Sequence, residues 1–113
     1  MRIVKKPWGH EEIWAETDVY VGKMLHISAG SRLSLQYHNK KTETIRVIQG
    51  QLMLTLRPPG LDTETRVLQP GETFHVSPGT VHRFGAGEEG VVLVEVSTTE
   101  LDDIVRIEDD YVR

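Results

Sequence analysis

Residues 30–50 read GSRLSLQYHNKKTETIRVIQG, and this stretch decides the fold. Apolar and polar residues alternate along Leu33–His38 and again along Thr44–Ile48, which is the period-two pattern of half-buried strands. The polar residues Asn39–Thr42 between them predict a turn. The stretch therefore indicates two neighbouring strands that are joined by a short polar connection.

The same alternation continues on both sides of this stretch. It predicts strands at Val19–Ile27, Gln51–Arg57 and Thr73–Val76, and a nearly continuous β-branched run at Val91–Val96 predicts a strand that is covered on both faces. Turn residues separate these segments at Ala29-Gly30, Gln49-Gly50, Pro58–Gly60, Gln69–Gly71, Pro78-Gly79 and Gly85–Gly90. Many short strands at near-regular spacing indicate an all-β, antiparallel sandwich or barrel.

One short helix is expected, near the C-terminus. Ser97–Glu100 offers a cap with a glutamate three residues further on, and Leu101, Ile104 and Val105 follow helical spacing. The helix is predicted over Thr99–Val105. No linker or low-complexity segment interrupts the chain, so residues 1–113 are expected to form a single domain.

Composition excludes several classes of function. The chain has 113 residues, a net charge of −4 and no cysteine, which excludes disulfides and thiolate chemistry. It has no dense cluster of Lys and Arg, so binding to nucleic acid is not expected. It also has no long apolar run, so we expect no membrane association and a cytoplasmic location.

A group of polar residues falls on predicted inward-facing positions. Gln36 and His38 are two residues apart on one strand, so their side chains share a face. Glu43 opens the next strand in phase with the apolar Ile45, and a buried carboxylate is costly unless a cation or hydrogen bonds meet it. His82 stands just beyond the turn at Pro78-Gly79. These donors favour a divalent metal held by nitrogen and oxygen.

The spacing of these residues resembles a known pattern. The arrangement is Gly30-x5-Gln36-x-His38-x4-Glu43-x6-Gly50, followed by Gly71-x6-Pro78-Gly79-x2-His82. It is similar to the two signature motifs of the cupin superfamily, in which these positions are metal ligands. The resemblance implies a small jelly-roll barrel with one divalent ion (Zn, Mn, Fe, Co or Ni) held by Gln36, His38, Glu43 and His82. Gln36 stands where the superfamily has its first histidine, and small cupins commonly form homodimers.

A narrower resemblance covers nearly the whole chain. Its residues are Lys6-Pro7-Trp8-Gly9, Leu33–His38, Asp102–Arg106 and Glu108–Arg113. Together they resemble the type II mannose-6-phosphate isomerase domain, which also forms the C-terminal part of bifunctional mannose-1-phosphate guanylyltransferases. The nucleotidyltransferase domain is not part of this sequence, so guanylyl transfer is not implied.

One departure from that family concerns the centre of its motif. The family pattern is Gln-Met-His-His-His-Arg-Ala-Glu-His-Trp, and residues 36–45 here read QYHNKKTETI. The ligand positions are kept, but the family's arginine is Lys41 and two downstream histidines are absent. Arginine grips an oxyanion with two parallel donors, whereas lysine offers a point charge.

The resemblance implies an aldose–ketose isomerase that acts on a sugar or sugar phosphate. Lys41 and His26 are its candidate catalytic residues, and Lys41, Arg46 and Arg83 are candidate substrate anchors. The base is left open among His26, His75 and a metal-bound hydroxide. Two alternatives stay open as well. One is a non-catalytic cupin that binds a sugar or another small molecule, and the other is a metal-dependent oxygenase, because His and Glu ligands can hold Fe(II).

Overall fold

The computed structural model describes residues 1–112 and is built entirely from strands and their connections. The strands are β1 (Arg2–Lys6), β2 (Gly9–Glu16), β3 (Val21–Ile27), β4 (Leu35–Tyr37), β5 (Glu43–Leu56), β6 (Glu64–Leu68), β7 (Thr73–Val76), β8 (His82–Ser97) and β9 (Val105–Glu108). Every pairing between them is antiparallel. The prediction of an antiparallel all-β fold is confirmed.

Two long strands organise the sheet. β8 pairs with β3 and β4, and β5 pairs with β8, β6 and β7, while β1 extends the sheet beyond β2 and β9 pairs with β4. β5 was expected as two strands separated by a turn at Gln49-Gly50, and a turn was also expected at Gly85–Gly90. Both expected turns are wrong, because β5 and β8 run through these glycines without ending.

The glycines bend the strands instead of ending them. The β5–β8 ladder shifts register on either side of Gly50, which has a φ of +80°. A Cβ at Gly50 would collide with the carbonyl oxygen of Gly90, so the close approach of the two backbones requires glycine here. The irregularity also changes which residues face inward, from Ile45 and Val47 before it to Leu52 and Leu54 after it. The sheet therefore curls while it keeps its apolar face inside.

The core lies within the curl. Leu25 and Leu93 from one part of the sheet and Leu54 and Phe84 from another belong to the same buried cluster. Fully burying a side chain of this size contributes about 1.5–3 kcal/mol. The inward face is apolar along most of each strand, so buried polar residues on that face indicate a candidate functional site.

The expected helix at Thr99–Val105 is wrong. Residues 98–104 form turns, and β9 begins at Val105 and pairs with β4. The Asp103 carboxylate accepts hydrogen bonds from the backbone N–H groups of Asn39, Lys40 and Lys41, at 3.0, 2.6 and 2.9 Å. These contacts to a distant loop outweigh the weak helical preference of a short segment.

Residues 1–112 contain no helix that is long and apolar enough to cross a membrane.

Candidate metal centre

The curl of the sheet brings Glu43 and His82 together. In the β5–β8 ladder Glu43 lies opposite Ser97 and Leu56 lies opposite His82, so the two residues belong to opposite ends of the ladder. In a flat sheet they would be roughly 40 Å apart, at about 3.3 Å per residue. In the folded chain His82 Nε2 lies 3.3 Å from Glu43 Oε1.

Strand β4 supplies the other predicted ligands. Gln36 lies directly opposite His82 across β4 and β8, so their side chains are neighbours on the inner face. His38 follows two residues later, and its Nε2 lies 3.2 Å from the same Glu43 Oε1. Gln36 Nε2 donates to Ser34 Oγ at 3.1 Å, which leaves the amide oxygen Oε1 as the atom that could reach a cation or its water. The structure therefore brings all four predicted ligands to one place.

Backbone contacts determine the tautomers of both histidines. His38 Nδ1–H donates to the carbonyl oxygen of Asp103 at 2.6 Å, and His82 Nδ1–H donates to that of Thr80 at 2.8 Å. A carbonyl oxygen can only accept, so Nδ1 carries the proton in each ring. In a neutral ring the Nε2 atom then presents a lone pair toward Glu43.

Three acceptors thus converge, and a cation among them would satisfy all three. His38 and His82 are each 2% exposed and Glu43 is 3% exposed, so water does not compensate their polar atoms. The rings could meet Glu43 as imidazolium ions, but their centroids lie 5.2 Å apart and two buried positive rings repel each other. A divalent ion is the simplest partner, and two imidazoles with one carboxylate are ligands that Zn²⁺ and Fe²⁺ accept.

A second charged pair lies beside these residues. Lys41 Nζ lies 3.3 Å from Glu43 Oε2 and 3.3 Å from Glu95 Oε2, and both Lys41 and Glu95 are buried. Burial and the neighbouring Glu43 carboxylate raise the pKa of Glu95 to about 8. Burial opposes the charge on Lys41, but the Glu95 and Glu43 carboxylates outweigh it and raise the pKa of the amine. Burial also opposes ionisation of Glu43, but its neighbours, among them the positive charge of Lys41, hold its pKa well below the usual range.

These residues line a cavity of about 340 Å³. Its wall also carries four further cations, of which Lys23 is paired with Glu11 at 3.4 Å. The other three are Arg2, Lys6 and Arg106. The volume falls within the range of about 300–1,000 Å³ that is typical of small-molecule sites. The cavity can therefore hold a small ligand. Its wall also carries four acidic residues, and Arg2 is paired with Glu16 at 3.0 Å; the acidic residues are Glu11, Glu43, Glu95 and Asp102.

Three residues that the sequence assigned to substrate or catalysis lie elsewhere. His26 and Arg46 sit between inward-facing neighbours on β3 and β5, so strand alternation turns their side chains to the outer face. Arg83 follows His82 and points away from the cavity, where it donates to the carbonyl oxygens of Leu33 and Glu108 at 2.9 and 3.2 Å. None of the three lines the cavity.

The remaining candidate base is also outside. His75 is exposed and its Nδ1 lies 2.9 Å from Thr44 Oγ1 on the outer face. Lys41, by contrast, lies in the cavity wall, and its predicted role toward substrate stays a prediction.

Two charged residues of the cavity wall are not among the predicted site residues, although the sequence carries a signal for each. Glu95 is in phase with the buried Leu93, and it is the acidic residue within an otherwise apolar run. Lys23 is likewise in phase with Leu25 on β3. A charged residue at an inward position of an apolar strand indicates a paired or functional group.

The curled antiparallel sheet, with an apolar core inside the curl, defines the fold as a cupin barrel. Solved structures agree with this fold. KdgF from Halomonas sp. matches with a TM-score of 0.75 at 21% identity, over 90% of this chain and 91% of that chain. The capsular polysaccharide assembling protein CapF from Staphylococcus aureus matches with a TM-score of 0.81 at 15% identity, over 95% of this chain and 34% of that chain.

The chain belongs to the mannose-6-phosphate isomerase C-terminal family, whose sequence profile matches residues 1–109. Mannose-1-phosphate guanylyltransferase ManC from Salmonella typhimurium is 30% identical over 116 aligned residues, which cover 99% of this chain and 23% of the relative. The D-lyxose ketol-isomerase of Thermofilum sp. is 43% identical over 37 residues, which cover 33% of this chain and 21% of that relative. The chain thus spans about a quarter of the length of the guanylyltransferase.

Proposed function

We propose that this protein is a metal-dependent sugar or sugar-phosphate isomerase that interconverts an aldose and a ketose. The observation that carries the proposal is the convergence of His38 Nε2 and His82 Nε2 on Glu43 Oε1, at 3.2 and 3.3 Å, inside a cavity with cationic residues in its wall. Membership of the mannose-6-phosphate isomerase C-terminal family supports it. The short match to a D-lyxose ketol-isomerase supports the same reaction class.

In this proposal His38, His82 and Glu43 hold the ion, and Gln36 contacts it or its water. When bound, the ion supplies a Lewis acid that polarises a carbonyl or hydroxyl oxygen of the sugar. The carbonyl groups of Asp103 and Thr80 keep both imidazoles in the orientation that ligation needs.

Isomerisation also needs a group that moves a proton between neighbouring carbons. Glu95 is the candidate, because it lies in the cavity wall, outside the proposed ligand set, and within 3.3 Å of Lys41 Nζ. Lys41 supplies a positive charge near the substrate oxygen on which negative charge develops. Arg2, Lys6 and Arg106 are candidate partners for a phosphate group in this proposal.

The test begins with protein stripped of metal and then loaded separately with Zn²⁺, Mn²⁺, Fe²⁺, Co²⁺ or Ni²⁺. Each form is incubated in D₂O with mannose 6-phosphate, fructose 6-phosphate and unphosphorylated sugars, and proton NMR follows interconversion and deuterium uptake at the carbon next to the carbonyl. We expect conversion of at least one sugar, and a loss of about one metal equivalent and of turnover in His82→Ala. His75→Ala is the matched control, because His75 is exposed and outside the cavity.

No conversion of any sugar by any metal form would contradict isomerase activity. Saturable binding of a sugar without conversion would instead support the alternative of a binding cupin. That alternative rests on Lys41, whose charge is already matched by two carboxylates and is therefore less free to meet substrate.

A second candidate function is a metal-dependent oxygenase. Two histidines and one carboxylate with open positions are the ligand set of many non-haem Fe(II) oxygenases. Oxygen consumption by the Fe(II)-loaded protein, measured with and without sugars, separates this activity from isomerisation, which consumes no oxygen.

A further inference from the structure

A second group of metal-ligating side chains lies on the outer face of β2 and β3, away from the cavity. His10 and His26 are direct partners in the β2–β3 register, and their rings stack with centroids 4.3 Å apart and planes inclined by 10°. Glu12 is two residues beyond His10, so its side chain shares that face. The inward positions of the two strands belong to other residues, among them Glu11 and Leu25, which line the cavity.

The donor atoms of these three residues are close enough to share one ion. Glu12 Oε1 lies 3.3 Å from His26 Nε2 and 3.9 Å from His10 Nε2, and one ligand atom from each residue lies within 4.8 Å of the others. Tetrahedral ligands at about 2.0–2.1 Å from Zn²⁺ are roughly 3.3 Å apart from each other. The atoms are near these separations, but the lone pair of an imidazole lies in the plane of its ring. The stacked rings of His10 and His26 must therefore rotate out of parallel before both can face one ion.

The environment of His26 points to a ligand independently of these distances. Its Nε2 atom is shielded from solvent and makes no hydrogen bond among the described residues. A buried, unsatisfied nitrogen of this kind costs roughly 1–3 kcal/mol. A metal ion would satisfy both this atom and Glu12 Oε1, which lies 3.3 Å away without a hydrogen bond between them.

Exposure and charge favour an accessible site with open positions. The side chains of His10, Glu12 and His26 are 39%, 31% and 32% exposed, so an ion can enter from solvent and keep water ligands. Lys5 is the cross-strand neighbour of His10 on its other side, and its exposed charge opposes a cation only weakly. Two imidazoles and one carboxylate suit Zn²⁺, Co²⁺ or Ni²⁺ better than they suit Ca²⁺ or Mg²⁺, which prefer oxygen ligands.

We propose that His10, Glu12 and His26 form a surface binding site for a divalent transition metal, separate from the ligand set in the cavity. The ion would link β2 to β3 through side chains, in addition to their backbone ladder. Metal bound to the folded state but not to the unfolded chain raises stability by mass action. The site would therefore stabilise the hairpin whose inner face carries Glu11 and Lys23 in the cavity wall.

The test is a titration of metal-free protein with Zn²⁺ at pH 7.5, followed residue by residue through the imidazole ¹H–¹³C resonances. We expect the His10 and His26 resonances to change together and to saturate near one equivalent for this site, while those of His75 stay unchanged. Because each ring reports separately, binding in the cavity at His38 and His82 does not obscure the result. Unchanged His10 and His26 resonances at stoichiometric Zn²⁺ would overturn the proposal.

Variants make the assignment specific. In calorimetry the double variant His10→Ala with His26→Ala should bind one equivalent of Zn²⁺ fewer than the wild type, and His75→Ala should bind as much Zn²⁺ as the wild type does. Glu12→Gln keeps both rings and the hairpin but removes the charge, and it should weaken the affinity about tenfold or more. If the double variant fails to fold, an unchanged affinity in Glu12→Gln would count against the carboxylate ligand and hence against the site.

Discussion

Replacement of Lys41 by methionine tests the charge arrangement in the cavity. Lys41 is 4% exposed and its ammonium lies 3.3 Å from both Glu43 and Glu95. Methionine keeps the length of the side chain but removes the charge, so two buried carboxylates then face each other without their cation. Removing one partner from a buried ion pair costs about 3–5 kcal/mol.

For Lys41→Met we expect a loss in the free energy of unfolding at the lower end of that range, about 3 kcal/mol. Glu95 already has a pKa of about 8, because burial and Glu43 oppose its ionisation, so it can take up a proton when the lysine is absent. For a chain of this size about 1 kcal/mol corresponds to a change of about 4 °C in the melting temperature, so a loss of about 3 kcal/mol should lower the melting temperature of Lys41→Met by roughly 12 °C.

The assay is thermal and urea denaturation of metal-free protein at pH 7, followed by circular dichroism. Lys40→Met is the matched control, because Lys40 is adjacent in sequence but exposed, and it should stay within about 0.5 kcal/mol of the wild type. If Lys41→Met is as stable as Lys40→Met, the view that Lys41 holds the two carboxylates together is wrong.

Two further predictions concern contacts outside the cavity. Backbone hydrogen bonds from residues 39–41 lower the pKa of Asp103 to about 2, so its contribution to stability is present above pH 4 and is lost as the pH falls from about 4 to 2. In urea denaturation Asp103→Asn should be less stable than the wild type at pH 7 and should lose less stability over that acid range. An unchanged acid profile would contradict this role. The free energy of unfolding of Arg83→Ala should be about 1–3 kcal/mol lower than that of the wild type, because the carbonyls of Leu33 and Glu108 lose their donor. Its metal content by elemental analysis should be unchanged. A loss of metal would show that Arg83 supports the proposed ligands.

The grouping of the four proposed ligands could be predicted in part because it depends on local spacing. Gln36 and His38 share a face by strand alternation alone, and Glu43 is in phase with Ile45, so neither relation needs knowledge of the whole fold. That these residues meet His82 depends on the curl of β5 and β8. The spacing resembled a known barrel, and this resemblance supplied the long-range information that alternation lacks.

The wrong predictions also come from long-range contacts that local sequence patterns do not reveal. Glycines at positions 50 and 90 predict turns when they are read locally, but two long paired strands use them as bends. The segment at Thr99–Val105 has helical spacing, but Asp103 binds a loop that lies more than sixty residues earlier in the chain. The chemistry of His26, Arg46 and Arg83 suggests roles at a substrate, but the phase of their strands turns all three side chains away from the cavity.

The contact between His38 and Asp103 makes the order of synthesis matter for the metal centre. The two residues are 65 positions apart, and the carbonyl of Asp103 sets which nitrogen of His38 is free to ligate. A chain that grows from its N-terminus has Gln36, His38, Glu43 and His82 available before Asp103 emerges. During that interval the His38 ring can rotate and carry its proton on either nitrogen. In the proposed metal centre the site is therefore oriented only when the segment before β9 docks, and a metal that bound earlier would meet a less ordered His38.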